Sequence, residues 1–197
     1  YDTNREGFYW NDHIKPEYNA YENLNYDSKG AGNLREAGFG TVLSHHNDGV
    51  IAGTGLLWTL NDFGTNADRM LKDKVSQHFT FSRSKFTKQS YPSSMMGSMA
   101  LIRQVFHDAK WYAQGNASNK DFSLEAFNSN KSLLQIFNAG DKLNSLRAAK
   151  LGDEFGIKYL IKGSGNEFER IDEIKKLGAT FIIPLNFPDA YDVSDPY

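Results

Sequence analysis

Apolar spacing divides the chain into an irregular lead-in, an extended middle and a regular last zone. In the last zone, "SYPSSMMGSMALIRQVFHDAKWYAQG" sets Met95, Met99, Ile102, Val105, Phe106 and Ala109 at helical spacing, with Gly115 as a stop. "LLQIFN" reads as a short buried strand, and "KLNSLRAAKLGDEFG" as an amphipathic helix ending at Gly156. "KYLI", "NEFERIDEIKKLG" and "TFIIPLNFP" repeat the strand–helix–strand order, with strands starting near residues 133, 157 and 180. Units of that length predict parallel strands with helices packed on them. Pro184 is placed at the C-terminal end of the last strand, because proline cannot donate to a ladder.

The middle zone, residues 39–90, changes period. "TVLSHH" and "GLLWTL" are strand candidates, and "KVSQHFTFS" alternates apolar and polar positions. Asn-Asp-Gly and Asn-Asp-Phe-Gly punctuate it as turns. Residues 1–38 are rich in Tyr and Asn, with helices expected around "PEYNAYENL" and "GNLREAG"; Pro16 suits a first turn and Gly38 a stop. The pattern predicts an α/β chain: an extended, β-rich N-terminal half, then partial TIM-barrel-like parallel strand–helix repeats over 91–187.

Composition narrows the function classes. At 197 residues the chain is long enough for a single domain with a real core. Its 22 Lys plus Arg face 24 Asp plus Glu with no long run of one sign, which argues against nucleic acid as a partner. No segment reaches the roughly 20 apolar residues of a membrane span. Cysteine is absent, so disulfides, thiolate nucleophiles and Cys-ligated zinc are excluded. The chain begins with Tyr1 rather than Met, and is read as processed or as a segment of a larger protein.

Candidate chemistry is sparse. In "SHHND", His45, His46 and Asp48 stand together ahead of "GVIAGTG". Adjacent side chains of a strand point to opposite faces, so only one imidazole can point inward. That leaves a strand end followed by an Asn-Asp-Gly turn, or one substrate-contacting or proton-transferring histidine helped by Asp48. In parallel α/β folds ligands bind beyond the carboxyl ends of the strands. Asn138, Lys162 and Asn186 fall there and are the substrate-binding candidates. None is a good zinc ligand, so no metal site and no cofactor is expected in this chain. "KGSGNE" lacks the full phosphate-binding motif and carries Glu167 and Glu169 just downstream, which reads as a bare turn. Ser93 or Ser94 is the expected cap of the long helix.

The runs "YPSSMMGSMALIRQVFHDAKWY" and "LRAAKLGDEFGIKYLIKGSGNEFERIDEIKKLGATFIIPLNFP", with "GFYWNDHIKPE" and "DGVIAGTG", resemble the amidohydrolase superfamily, nearest its imidazolonepropionase-like branch. The resemblance implies an internal segment of a larger barrel, lacking its first and last strands. Its parent would be a hydrolase of non-peptide C–N bonds such as cyclic amides, with zinc or another divalent ion held in that parent. Metal-bearing relatives carry His-x-His at the positions of Asn138 and Gly140, and a His near Gly163, so the ligand positions here are degenerate. The segment alone is expected to be inactive. Implied partners are the remainder of the parent chain, a small-molecule substrate and a second copy through open barrel edges. An exported, periplasmic location also follows from the resemblance. Two alternatives stay open: a metal-free barrel serving as a binding or assembly module, and an independent doubly wound α/β domain.

Overall fold

The structure, a computed structural model, describes residues 5–185. Asn186 and the segment after it lie outside the described residues, as do residues 1–4. The chain divides into two compact units, Tyr1–Gln135 and Ile136–Tyr197.

The first unit is built on three antiparallel strands, β1 (Thr41–Ser44), β2 (Ile51–Thr59) and β3 (Met70–Thr80). β1 lies against the second half of β2, with Thr41 opposite Thr59 and Ser44 opposite Leu56. β3 pairs along β2 from Ile51–Phe79 to Trp58–Met70, with register shifts on the way. The helix α1 (Ser28–Glu36) precedes β1 and is capped by the Asp27 side chain. A single turn, α2 (Asn66–Arg69), joins β2 to β3 under a Thr65–Asp68 capping box.

The helix expected at "PEYNAYENL" does not form; that stretch is a series of turns. Asparagine side chains compete there with helical hydrogen bonds: Asn19 Oδ1 accepts the Tyr21 N–H at 2.9 Å, and Asn23 Nδ2 donates to Asn19 O. The free edge of β2 captures the remaining backbone. Lys15 N–H donates to Ile51 O at 2.9 Å, and Thr54 N–H donates to Tyr18 O at 2.9 Å. Gly53, at φ +88, permits this approach, since a Cβ there would stand 2.3 Å from Tyr18 O.

One sheet face buries Leu56 and Trp58 with Ala20, flanked by Tyr21, Leu24, Tyr26, Val42 and Met70. Elsewhere in this unit Phe79 of β3 meets Phe127 edge-on, centroids 6.4 Å apart, and Phe127 meets Phe106 at 5.0 Å. Phe106 belongs to α3 (Met95–Ala113), which buries Ser98, Leu101, Ile102, Val105, Phe106 and Ala109; Met95 and Met99 are half-buried at its margin. Ser94 caps it. Phe127 belongs to α4 (Phe122–Ser129), which the apolar spacing did not predict. That helix has only about two turns, too few for a period to declare itself, and it is marked by its Asp121 cap.

β4 (Leu134–Asn138), whose last three residues open the second unit, β5 (Leu160–Lys162) and β6 (Thr180–Ile182) are parallel and adjacent in that order. α5 (Lys142–Phe155) and α6 (Ile171–Lys176) occupy the crossovers, the latter preceded by a 3₁₀ turn over Glu167–Arg170. Gly156 ends α5 at φ +69. Gly152 lets α5 close onto the chain that follows: a Cβ there would lie 2.5 Å from Ile157 O and 2.8 Å from the Tyr159 ring. Ile136, Phe137, Ala148, Leu151, Tyr159 and Ile161 are buried around that approach. Pro184 follows β6. The fold is mixed α/β with the strand–helix repeats of a partial TIM barrel.

Candidate functional site

Both histidines of "SHHND" lie just past the end of β1, outside the regular strand. The imidazole of His45 stacks on that of His78 from β3, with centroids 3.6 Å apart and planes within 5°. Its Nδ1 is 2.8 Å from His46 O. Nε2 of His78 is 2.8 Å from Ser76 Oγ. Ser76 and His78 share a face because strand side chains alternate. They have room because Gly55, opposite Ser76, has no side chain: a Cβ there would be 2.4 Å from Ser76 Oγ and 2.8 Å from His78 Nε2. The His46 ring goes elsewhere, onto Tyr18 at 4.4 Å, and its Nδ1 is buried without a hydrogen-bond partner.

Asp48 is buried, and both carboxylate oxygens are engaged. Oδ2 accepts a short hydrogen bond from the Ser84 hydroxyl, and Oδ1 accepts the Lys85 N–H at 2.9 Å. Lys15 Nζ lies 3.7 Å from Oδ2. Burial opposes ionisation of this carboxyl. The Ser84 and Lys85 hydrogen bonds, with the charges of Lys15 and His46, outweigh it and hold the group below the usual carboxylate range. Asp48 therefore acts first as the anchor of the segment after β3. The fully buried His13 holds the same segment: its Nδ1 accepts the Ser84 N–H at 2.8 Å. Burial pushes the His13 ring towards neutrality, against the Gln89 backbone and Asp12, which favour the charged form.

The substrate-binding candidates Asn138 and Lys162 belong to the second unit. They are register partners at the carboxyl ends of β4 and β5, and Lys162 O accepts the Ala139 N–H at 3.2 Å. Asn138 is half-buried and Lys162 exposed. The turn beyond β5 is closed by its own downstream residue. Glu167 Oε1 accepts the Ser164 N–H at 2.9 Å, and Oε2 accepts the Gly165 N–H at 2.9 Å. Those donors would otherwise be available to an anion.

A divalent ion of the kind that the family resemblance implies needs His, Asp or Glu donors. Among the described residues no three His, Cys, Asp or Glu side chains converge. Gly140 and Gly163 supply no donor, and a Cβ at Gly163 would lie 2.6 Å from Glu167 Oε1. The residues present do not fit a zinc centre of that kind.

His13 and His78 are scattered in the sequence with no helical i, i+4 partner and read there as ordinary residues, and Ser76 and Ser84 were not singled out. Ser-x-His on a strand was the legible signal for Ser76 and His78, since spacing of two puts both on one face. Nothing in the sequence links His13 to Ser84.

No protein-family model matches the sequence, and no curated protein matches it. Among solved structures the chain is similar to an amidohydrolase from Thermotoga maritima MSB8, at 17% identity and a TM-score of 0.70. The likeness covers 91% of this chain and 51% of that one, so the chain spans about half the length of its neighbour. It is a likeness of fold.

Proposed function

We propose that this chain is part of an amidohydrolase-like hydrolase acting on non-peptide C–N bonds, of the imidazolonepropionase-like kind, with cyclic amides as the substrate class. The observation that carries the reading is the fold likeness to an amidohydrolase over 91% of the chain. Asn138 and Lys162, side by side at neighbouring strand ends, are suited to bind a polar substrate: the amide offers both a donor and an acceptor, the ammonium a positive charge. Any divalent ion the parent uses is held by ligands outside the described residues, so the chain by itself turns over no cyclic amide. A second reading, a barrel retained for binding without hydrolysis, is favoured by Glu167 filling the turn beside Gly163.

The test compares the purified chain, supplied with zinc, and the full-length protein against imidazolone-type and other cyclic amides. Hydrolysis by the full-length protein alone is the expected result. Turnover by the chain that disappears in the His45→Ala, His46→Ala double variant overturns the assignment of the chemistry to other segments. Binding of cyclic amides without hydrolysis by the full-length protein selects the second reading.

A further inference from the structure

Residues 82–90, "SRSKFTKQS", leave β3 and form the wall of a concave pocket of about 780 Å³. That volume lies within the range of small-molecule sites. We propose that this pocket binds a small phosphate-bearing anion.

The charge of the wall points to an anion. Arg83, Lys85 and Lys88 line it together with the hydroxyls of Ser82 and Ser90, and no carboxylate is in the lining. Among the described residues none of the three cations forms an ion pair. Two carboxylates stand behind the wall, and both are engaged. Asp48 takes the Ser84 hydroxyl, and Asp12 takes the Thr87 hydroxyl at 2.8 Å. With Lys15 beside Asp48, four cations face two carboxylates, and the excess charge is positive. A dianion with three acceptor oxygens suits such a set better than a single carboxylate does.

The wall is also built rather than loose. Ser84 Oγ, while donating to Asp48, accepts the Phe86 N–H at 3.2 Å; Thr87 Oγ1, while donating to Asp12, accepts the Gln89 N–H at 3.1 Å. Gln89 closes the other end through its side chain, accepting the Asp12 N–H at 2.8 Å and donating to Trp10 O at 3.1 Å. Pre-ordered donors lower the cost of binding.

An independent feature lies behind this wall. His13 is fully buried, and its Nδ1 is an acceptor, so in the neutral ring Nε2 carries the proton. That N–H has no hydrogen-bond partner. Although the Gln89 backbone favours the charged ring, it does not meet hydrogen-bond geometry at Nε2. A buried donor without an acceptor is costly, and because the ring holds the wall through Ser84 it reports on what the wall binds.

The experiment is calorimetric titration of the protein at low ionic strength with inorganic phosphate and, separately, with glycerol phosphate, followed by histidine-ring NMR. Saturable one-to-one binding is expected, with movement of the His13 Nε2–H resonance. The Lys85→Gln, Lys88→Gln double variant should bind roughly ten-fold or more weakly, the loss of about one charge-assisted hydrogen bond or more. Tighter binding of the monoester assigns an organic phosphate and equal binding the free anion; either supports the site. The proposal is overturned if neither probe saturates. It is overturned equally if Lys175→Gln, Lys176→Gln, remote in sequence and exposed, weakens binding as much, or if the His13 resonance stays still at saturation. All variants change exposed lysines, and matching thermal melts check that each folds.

Discussion

The rings of His45 and His78 lie face to face, 3.6 Å between centroids. At that separation the two rings are in van der Waals contact face to face. The space for the pair depends on Gly55, whose missing side chain admits Ser76 Oγ and His78 Nε2. Gly55→Ala is therefore expected to destabilise the protein by about 1–3 kcal/mol through overpacking. It should also displace the ring resonances of both histidines. Chemical denaturation and histidine NMR check the two effects together, and an unchanged His45 resonance would separate the stack from the glycine.

Asp48 carries the segment from Ser84 to Phe86 on its two oxygens. Removing it in Asp48→Ala leaves a buried hydroxyl, an N–H and the Lys15 ammonium without their acceptor. A loss of about 3 kcal/mol is expected, typical of breaking a buried charged network on one side. The acid dependence follows from the depressed pKa. Unfolded, the carboxyl titrates near 3.8; folded, it titrates lower. Its stabilisation is complete above 3.8 and is lost as pH falls through the folded value. Acid unfolding curves of the wild type and of Asp48→Asn should therefore converge below that point.

His13 gives a second pH effect in a different window. Its folded pKa lies below the ordinary 6.5, so between those two values the unfolded chain binds a proton that the folded one refuses. Stability therefore falls as pH drops below 6.5, and stops falling once the folded ring itself protonates. His13→Gln should remove this slope, whatever its effect on absolute stability. Denaturation midpoints between pH 4 and pH 7 measure it.

The repeating half of the molecule was legible because its signals are local. β4, β5 and β6 are short apolar runs separated by helices whose ends are marked by Asp141, Gly156 and Gly178. Pro184 falls just past β6, where its missing N–H breaks no ladder. The first unit was harder, because its order rests on pairs distant in sequence. Asn130 Nδ2 donates to Pro16 O at 3.0 Å, and Tyr9 Oη donates to Asp108 at 2.6 Å. The candidate site was legible only in part for the same reason. His45 and Asp48 stand out in the sequence, but their partners His78 and Ser84 come from 33 and 36 residues further on. Hydrophobic period carries no information about such pairings.

Gln77 is fully buried on β3, and neither its amide nitrogen nor its oxygen has a hydrogen-bond partner. An amide so placed costs about 1–3 kcal/mol of desolvation with no return. Methionine has a similar length and volume and no strong polar group. Gln77→Met is therefore expected to raise stability by about 1 kcal/mol, against the usual direction of core substitutions. A drop of the same size would show that an ordered water satisfies the amide.

Glu167 serves the turn beyond β5 as an internal anion. Its oxygens accept the Ser164 and Gly165 N–H groups, and Ser145 Oγ lies 3.3 Å from Oε1. Burial alone would raise its pKa; those backbone and side-chain donors overcome it and hold the carboxyl low. The sign is that of Asp48: stability supplied by Glu167 persists above the ordinary glutamate value of 4.5 and fades as pH falls through the lower folded value. Glu167→Gln keeps one acceptor oxygen and should cost about 1 kcal/mol, whereas Glu167→Ala frees both N–H groups and should cost about twice that. The alanine variant makes a sharper test of what the carboxylate does. If it occupies an anion-accepting turn, added sulfate should restore part of the lost stability in Glu167→Ala and leave the wild type unchanged. Equal stabilisation of both proteins by sulfate would mean that the salt acts through general exclusion from the surface, and that the turn has no affinity for anions of its own.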